Sequence, residues 1–446
     1  MASRYFIKFA SVFLWALFIT SGVDAKNIRF SEGGVEQLKK LRSEECIFIS
    51  GGGPAGLIAA WTLATLQESS LIGTSESASM AVLRNKTLVI VEHRSAYVRG
   101  NMLNLRPPAI NMLKQLGIWE RLARVGSSAP VFHFKIGEEY SGNSTIDELP
   151  RTINWNGPVA DIFFEDGWGA WALGLNEMEA CLNEALLTLP KLVDKPRIII
   201  INGKISEIDG LKNTFKIDVG FESIALSNPA LLIVAEGASS TTRQQMNVKM
   251  LSAAGLEDEP WCSGAVHLGE LLQVPYGYQT LAVQPGAVEE SVSYGALHPK
   301  DHTLFINVRG VLPEGSVDLV LQKAAHHLLA MDPALHSQLA TLSYEDLRID
   351  QSSRPQRFTG GFRKADTSAL LDYVLPTILF GDAAGYATPN KGLGLTLVNS
   401  VYCAALQHFA LSFFSSTADA DRIAAQVHYN ERVNEIVDFW HNGSVQ

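Results

Sequence analysis

The stretch E-C-I-F-I-S-G-G-G-P-A-G at residues 45–56 decides the fold of this chain. Its apolar half, residues 45–50, predicts a short buried strand, and the apolar spacing over residues 57–66 predicts a helix directly after the glycines. The glycines match G-x-G-x-x-G, which gives a tight turn, room for a pyrophosphate against the backbone, and close helix–strand packing. Unpaired N–H groups at the helix start face the negative charge. The stretch therefore predicts a dinucleotide-binding loop whose contact residues are Gly51, Gly53, Pro54, Ala55 and Gly56.

A second buried strand is predicted at Thr87–Val91, and it ends in Glu92. A carboxylate at that position can accept hydrogen bonds from a ribose diol, and it disfavours a 2′-phosphate, which suits FAD or NAD. Glu92 follows the glycine loop by more than the usual spacing of about 20 residues. The stretch 68–79, rich in Ser, Gly and Thr, is predicted to be a loop insertion that accounts for the excess.

Two elements near the C-terminus favour FAD over NAD. A buried strand predicted at Thr377–Phe380 is followed by G-D-A-A-G at 381–385 and by P-N-K-G-L-G-L at 389–395. Asp382 can bind ribityl hydroxyls, and a glycine-rich helix start can stabilise negative charge on a flavin ring. An apolar helix is expected over about 395–414. The alternative is a plain strand–turn–helix crossover in which Asp382 only caps a helix.

Together with A-E-G-A-S-S-T-T-R at 235–243, these motifs resemble the class A flavoprotein monooxygenases of the aromatic-hydroxylase type. That superfamily carries a G-x-G-x-x-G start, a central D-G-x-x-S-x-x-R element and a G-D-A-A-x element that ends in P-x-x-G-x-G. The resemblance covers nearly all of the chain after its N-terminus, in the same order. It implies an α/β fold: an FAD-binding Rossmann-like domain of the glutathione-reductase type with an inserted antiparallel β-sheet substrate domain. The stretch R-G-N-M-L-N-L at 99–105 is also similar to the flavin-side segment of the actin-oxidising MICAL monooxygenases, so a protein substrate is left open.

Carried over residue by residue, the resemblance implies an ADP-ribose site at the glycine loop and Glu92, with Arg94 and Arg99 near the pyrophosphate or the isoalloxazine. Asp382 would bind the ribityl chain. No catalytic side chain and no metal ligand is assigned, because the flavin itself carries the chemistry of this family. The other cofactor-binding residues that the resemblance implies are Asn101, Arg243, Gly381, Gly392, Leu393 and Gly394.

Three residues depart from the family pattern. Glu236 stands where the family has aspartate, Gly385 replaces the common histidine, and Thr396 replaces the common asparagine. None of the three is an obvious acid, base or nucleophile in that chemistry.

The activity implied by the resemblance is that of an FAD-dependent monooxygenase. Such an enzyme uses NADPH or NADH and dioxygen, through a flavin hydroperoxide, to hydroxylate or epoxidise a small organic substrate. Two alternatives stay open: an FAD-dependent reductase or dehydrogenase on the same scaffold, and a secreted flavin-binding protein without catalysis. The altered Glu236 and Gly385 keep the last of these open.

The chain divides into discontinuous parts. Alternating segments such as 303–308 and 356–362 predict half-exposed antiparallel strands in the middle of the chain, and 108–123 predicts one helix after Pro107-Pro108. We expect a signal peptide at 1–25, an FAD-binding domain at 44–250 and 371–415 that includes part of the substrate region at 125–175, a substrate-binding sheet domain at 251–370, and a C-terminal helical tail at 416–446.

The N-terminus predicts export. Arg4 and Lys8 precede an uncharged apolar run over residues 9–23, and V-D-A at 23–25 offers small residues to a signal peptidase. The run is shorter than the ~20 residues that cross a bilayer, so a cleaved signal is favoured over a signal-anchored membrane form. We expect a protein without a stable membrane span after signal removal, exported to the periplasm, the extracellular space or the lumen of the endoplasmic reticulum.

Composition restricts the partners. The formal net charge of -10 gives no electrostatic reason to expect nucleic acid. The four cysteines lie far apart with no C-x-x-C, so they predict neither a metal motif nor a dense disulfide framework.

Overall fold

A computed structural model describes most of the chain. The ranges are 26–69, 77–98, 102–128, 131–136, 139–145, 171–253, 258–268, 272, 279–285, 290–297, 303–309, 315–330, 335–353, 355–387 and 393–445. The predicted signal peptide and the predicted cofactor residues Arg99, Asn101 and Gly392 lie outside the described residues.

The strands are numbered in chain order. They are β1 (Lys26–Asn27), β2 (Cys46–Ser50), β3 (Thr87–Glu92), β4 (Ala96–Tyr97), β5 (Met102–Leu105), β6 (Gly126–Ser128), β7 (Val131–Ile136), β8 (Glu139–Thr145), β9 (Trp171–Gly174), β10 (Ile198–Asn202), β11 (Lys204–Asp209), β12 (Thr214–Val219), β13 (Glu222–Ser227), β14 (Leu231–Val234), β15 (Met250–Ser252), β16 (Glu259–His267), β17 (Gln279–Pro285), β18 (Glu290–Leu297), β19 (Thr303–Arg309), β20 (Arg348–Asp350), β21 (Gln356–Gly360), β22 (Arg363–Ala365), β23 (Thr377–Leu379) and β24 (Gly385–Tyr386).

The α-helices are numbered in the same way. They are α1 (Gly34–Lys39), α2 (Pro54–Ser69), α3 (Ser77–Arg84), α4 (Pro107–Gln115), α5 (Trp119–Ala123), α6 (Leu175–Leu187), α7 (Thr241–Gln245), α8 (Val317–Leu329), α9 (His336–Leu339), α10 (Leu393–Leu397), α11 (Cys403–Ser415) and α12 (Asp419–Val445).

A parallel sheet with the strand order β10-β3-β2-β14-β23 forms the centre of the α/β part of the molecule. Every residue of β2, β3 and β14 is buried, because both faces of the sheet are covered. Phe48 packs edge-on against Phe215 of the antiparallel meander β11-β12-β13, while Ile49 points to the opposite face, towards the start of α2. The predicted buried strands and their α/β arrangement are confirmed.

The second large sheet is mostly antiparallel, as predicted for the inserted part. Its described strands follow the order β20-β16-β19-β18-β17-β7-β8, with β21 also paired to β16 and with β17 and β7 parallel. Helix α8 packs on this sheet through an apolar cluster that includes Val266, Ile306 and Leu321. Strands β15 and β22 connect the two sheets along the chain, and β22 pairs with both β15 and β24.

The helical segment from α10 to α11 is continuous, because residues Val398–Tyr402 form a π-helical turn between them. Residues Gly394–Ser415 are long and apolar enough to cross a membrane by length and composition, but 72% of the apolar window is buried inside the protein. This segment is therefore a core helix packed beside the parallel sheet, and the predicted apolar helix over about 395–414 is confirmed.

Helix α12 covers the edge of the parallel sheet at β23. Gln426 donates a hydrogen bond from Nε2 to the carbonyl of Thr377 (2.8 Å), and Tyr429 donates from its hydroxyl to the carbonyl of Leu379 (2.9 Å). Both side chains are buried. An uncovered strand edge leaves carbonyl groups unpaired, and here side chains of a helix satisfy them in place of a further strand.

Three local predictions were wrong. The strand predicted to be half-exposed at 303–308 is buried on both faces, with Leu304, Ile306 and Val308 in the cluster beneath α8 and the intervening residues buried as well. The single helix predicted over 108–123 is two helices, α4 and α5, because Gly117 adopts φ 69° and ends the first one. The loop predicted over 68–79 is wrong at both ends, since α2 extends to Ser69 and α3 begins at Ser77, and residues 70–76 lie outside the described residues. Burial of Leu83, at the far end of α3, stabilises a helix that serine-rich composition disfavours.

The edge contact yields a stability prediction. Replacing Tyr429 with Phe keeps the buried ring but leaves the carbonyl of Leu379 without its donor, so we expect the free energy of unfolding to fall by about 1–3 kcal/mol. Urea unfolding of wild type and Tyr429→Phe measures the difference. Equal stabilities would show that α12 does not satisfy this edge.

Candidate cofactor site

The glycine loop joins the end of β2 to the start of α2. The backbone N–H of Gly51 donates to the carbonyl of Val91 at 2.9 Å, which fixes the loop to the end of β3. A side chain on Gly56 would collide with the carbonyl oxygen of Gly51, so only glycine lets the helix begin this close to the strand. Pro54 is the first helical residue, and the first turn of α2 carries no acidic side chain. The loop therefore presents a helix N-terminus that suits an anion.

The second glycine-bearing turn, Gly381–Ala383 after β23, lies directly beside the first. Gly381 has φ 64°, and a Cβ placed on it would lie 2.9 Å from the Cβ of Ala55. Strands β2 and β23 flank β14 in the parallel sheet, so their C-terminal ends meet at one edge. The two motifs that the sequence places far apart thus converge, with half-buried Asp382 in the second turn.

Glu92 lies at the end of β3 with its carboxylate fully engaged by protein donors. The backbone N–H of Gly52 donates to Oε2 (2.8 Å) and the backbone N–H of Arg94 donates to Oε1 (2.8 Å). The Arg94 guanidinium donates from Nε to Oε1 (3.0 Å) and from Nη2 to Oε2 (2.9 Å). A carboxylate offers about four lone-pair positions, so these four bonds occupy them.

A second acid shares this guanidinium. Glu179 of α6 is fully buried, and its Oε1 lies 3.4 Å from Nη1 of Arg94. Burial alone raises the pKa of Glu92, but the hydrogen bonds and charge of Arg94 outweigh it and hold that pKa below its usual value. Arg94 also stacks over the ring of Tyr97 at 5.5 Å. Arg94, with 24% of its side chain exposed, is the member of this charge cluster that solvent or a ligand reaches.

Glu236, one methylene longer than the family aspartate, folds back onto its own chain. It accepts hydrogen bonds from the hydroxyls of Ser50, Ser240 (2.8 Å) and Thr242 (2.6 Å), and from the backbone N–H of Thr242 (2.9 Å). Burial raises the pKa of Glu236, but these donors more than offset it and hold the pKa below its usual value. The carboxylate therefore caps α7 and ties it to the end of β2.

Arg243 connects the middle motif to the turn that holds Asp382. Its Nη1 donates to the carbonyl of Ala383 at 3.2 Å and its Nη2 donates to the carbonyl of Ala238 at 2.8 Å. The side chain is 3% exposed, and burial lowers its pKa. Its Nε has no hydrogen-bond partner among the described residues. Arg243 thus holds the Asp382 turn against the start of α7.

The remaining predicted residues lie at the start of α10, where the structure places Gly394 and the backbone of Leu393. Sequence reasoning missed three participants: Ser50, Glu179 and Tyr402. Tyr402 lies in the π-helical turn, and its fully buried hydroxyl has no hydrogen-bond partner among the described residues. Burial, together with the charge of Asp382, raises the pKa of Tyr402. A polar residue in the apolar run of β2 was the one available clue to Ser50.

The described residues fit a dinucleotide. The glycine cradle cannot hold side chains, the adjoining helix start offers unpaired N–H groups, and Asp382 lies beside it in a turn of its own. Near that turn, the buried Nε of Arg243 and the hydroxyl of Tyr402 have no hydrogen-bond partner among the described residues, so each can still bond to a ligand. A cavity of about 430 Å³ between α11 and α12 has no nucleotide-motif residue in its lining, so it is a separate feature.

No family model and no curated protein matches the sequence. Among solved structures, p-nitrophenol 4-monooxygenase PnpA from Pseudomonas putida DLL-E4 is 15% identical with a TM-score of 0.58, over 90% of this chain and 99% of that chain. The flavin-dependent halogenase CmlS is 16% identical with a TM-score of 0.56, over 89% of this chain and 62% of that chain. PqsL, a probable FAD-dependent monooxygenase from Pseudomonas aeruginosa, is 14% identical with a TM-score of 0.55, over 88% and 93%. These likenesses confirm the predicted fold class.

The buried charge cluster predicts a large stability effect. Replacing Arg94 with Met leaves two buried carboxylates without their shared cation, so we expect a loss of about 3–5 kcal/mol in the free energy of unfolding. Adding Glu179→Gln to that variant removes one of the stranded charges and should restore part of the loss. Urea unfolding of the single and double variants tests this, and strictly additive losses would contradict a shared guanidinium.

Glu236 predicts a pH dependence. Because its folded-state pKa is depressed, its stabilising contribution is present above the unfolded pKa of about 4.3 and is lost as pH falls through the folded value. Glu236→Gln should therefore cost about 1.5–3 kcal/mol at neutral pH, and the difference from wild type should shrink in acid. Denaturant unfolding across this pH range measures it. A difference that grows in acid would contradict the assignment.

Proposed function

We propose that this protein is an FAD-dependent monooxygenase that takes electrons from NADPH or NADH and inserts one atom of dioxygen into a small organic substrate by hydroxylation or epoxidation. The observation that carries the proposal is the contact between the two glycine-bearing turns, where Gly381 approaches Ala55. A cleft formed by those turns suits opposite halves of one flavin nucleotide, on a fold shared with a p-nitrophenol 4-monooxygenase and a probable FAD-dependent monooxygenase.

When bound, FAD would supply the transfer of electrons from NAD(P)H to dioxygen. The chain's own residues bind and orient. The helix start at Pro54 would hold the pyrophosphate, Asp382 the ribityl hydroxyls, and the backbone at Gly394 would lie beside the ring, where a helix N-terminus stabilises negative charge. Arg94 would meet the adenosine half, because it is the accessible member of its charge cluster.

Two departures from the family pattern fit into the structure without a defect that would argue against catalysis. Glu236 is fully hydrogen-bonded as a helix cap. Gly385 is packed against Val437, so its missing side chain leaves no gap. Neither substitution leaves a defect in the described part of the site, which weakens the case for a purely binding protein.

We further propose export through the predicted signal at residues 1–25. The cysteines do not conflict with this compartment: all four are free, and Cys46, Cys262 and Cys403 are buried. Burial raises the pKa of Cys46 and Cys403 to about 12 and that of Cys181 and Cys262 to about 11. Thiols this weakly acidic resist oxidation in an oxidising environment. Cleavage is tested by N-terminal sequencing of the exported protein, and a start at residue 26 is expected.

The function is tested with purified protein. We expect a flavin absorbance spectrum, reduction of that flavin by NADPH or NADH without oxygen, and incorporation of label from isotope-labelled dioxygen into the product. Reduction with no label in any product would favour the reductase alternative, and a flavin that no nicotinamide donor reduces would favour the binding protein.

Asp382→Ala provides the site-directed test. Loss of a charge-assisted hydrogen bond to the ribityl chain should raise the dissociation constant for FAD by roughly tenfold or more, since such bonds contribute about 1.5–3 kcal/mol. Titration of the apoprotein with FAD by fluorescence quenching measures it. An unchanged constant would remove Asp382 from the site.

A further inference from the structure

Near its C-terminal end, helix α12 contacts two segments at once: the turn at Gly385 and the start of α10 at Gly394. A Cβ placed on Gly385 would lie 2.7 Å from both methyl carbons of Val437, and one placed on Gly394 would lie 3.0 Å from Cη2 of Trp440. Gly385 directly follows the turn that holds Asp382, whereas Gly394 lies at the start of α10. The absence of side chains at these two positions therefore allows the close approach of α12.

Polar contacts fix the same segment. The Nε2 of His441 donates to the carbonyl of Tyr386 at 3.1 Å, and its ring packs edge-on against Phe362 at 5.7 Å. Asp438 pairs with Lys364 of β22 at 2.7 Å. His441 is 4% exposed and Trp440 is 5% exposed, so both are part of the interior.

These contacts explain the departure at position 385. In the family that the sequence resembles, this position commonly carries histidine, and here a helix from the C-terminal end fills the space instead. Val437 lies where a side chain on residue 385 would point, and His441 holds the neighbouring carbonyl. A distant segment of the chain therefore supports the turn at Gly385 in place of a side chain on that residue.

We propose that Val437, Trp440 and His441 are positioning residues for the flavin, acting through the turn at Gly385–Tyr386 and the helix start at Gly394. This inference rests on the proposed function. The three residues do not contact the cofactor themselves. They set the separation between the turn that holds Asp382 and the start of α10. Groups that bind a cofactor are most effective when their positions are fixed before the cofactor binds.

Helix α12 offers a matched pair of variants for the test. His441→Phe keeps an aromatic ring against Phe362 and removes the donor to Tyr386, beside the flavin turns. Tyr429→Phe removes an aromatic donor to Leu379 from the same helix, about three turns earlier and at the sheet edge. Both lose a hydrogen bond to a strand or turn carbonyl, and His441→Phe also loses an interaction with the backbone of Arg363 in β22. Only His441 lies at the proposed positioning contact.

The experiment titrates each apoprotein with FAD and records its melting temperature with and without the cofactor. We expect His441→Phe to raise the dissociation constant for FAD at least fivefold and to change the visible flavin spectrum. Tyr429→Phe should lower the melting temperature by a few degrees, because each kcal/mol lost shifts it by ~2–4 °C in a protein of about 150–250 residues and by less in a larger chain. Its dissociation constant should stay within twofold of wild type. Trp440→Phe, which withdraws part of the ring from Gly394, should also weaken FAD binding and is a second variant should His441→Phe not fold.

The outcomes separate the two proposals. If wild type binds FAD and the His441→Phe and Trp440→Phe variants bind it equally well, the positioning assignment is overturned and the proposed function stands. If Tyr429→Phe weakens FAD binding as much as His441→Phe does, α12 acts through general stability and the assignment is likewise overturned. A wild-type protein that binds no FAD overturns the proposed function together with this inference.

Discussion

The ends of β2 and β23 can approach each other only because glycine lies at the contact. Gly381 faces Ala55 at a distance that leaves no room for a Cβ, and Gly56 faces the carbonyl of Gly51 in the same way. Bare backbone at these points brings a helix start and a second turn to one edge of the parallel sheet. The other features of the candidate cofactor site lie around that contact: the buried acids, the motif at 235–243 and helix α12.

Two acidic residues lie at strand ends beside the proposed phosphate site, and donors from the protein occupy both carboxylates. Glu92 is saturated by Gly52 and Arg94, and Glu236 by hydroxyls and a backbone N–H. Buried carboxylates are tolerated only when their lone pairs are filled. Because donors outside α2 occupy both carboxylates, neither Glu92 nor Glu236 takes hydrogen bonds from the first turn of α2. The N–H groups of that turn are therefore available to a ligand.

Helix α12 performs two tasks along its length. At its middle, Gln426 and Tyr429 complete the hydrogen bonding of the edge strand β23, and towards its end Trp440 and His441 support the two turns beyond that strand. Helix α12 therefore contacts both strand β23 and the turns that follow it. One helix thus makes two separate contacts, one that completes the sheet edge and one that supports the turns of the candidate site.

The strands, the glycine turns and their order could be predicted from local sequence alone, because an apolar run followed by G-x-G-x-x-G is compatible with few other structures. The sequence also pointed to Asp382 and to the α/β class, both from local pattern. It could not find Glu179 or Tyr402, since nothing in their neighbourhoods marks them and each acts through partners far away in the chain. Nor could it explain Gly385, whose meaning depends on Val437, 52 residues further on. Local pattern records backbone geometry and burial, whereas the pairing of charges and the filling of space depend on which distant segments pack together, and only the tertiary structure decides that.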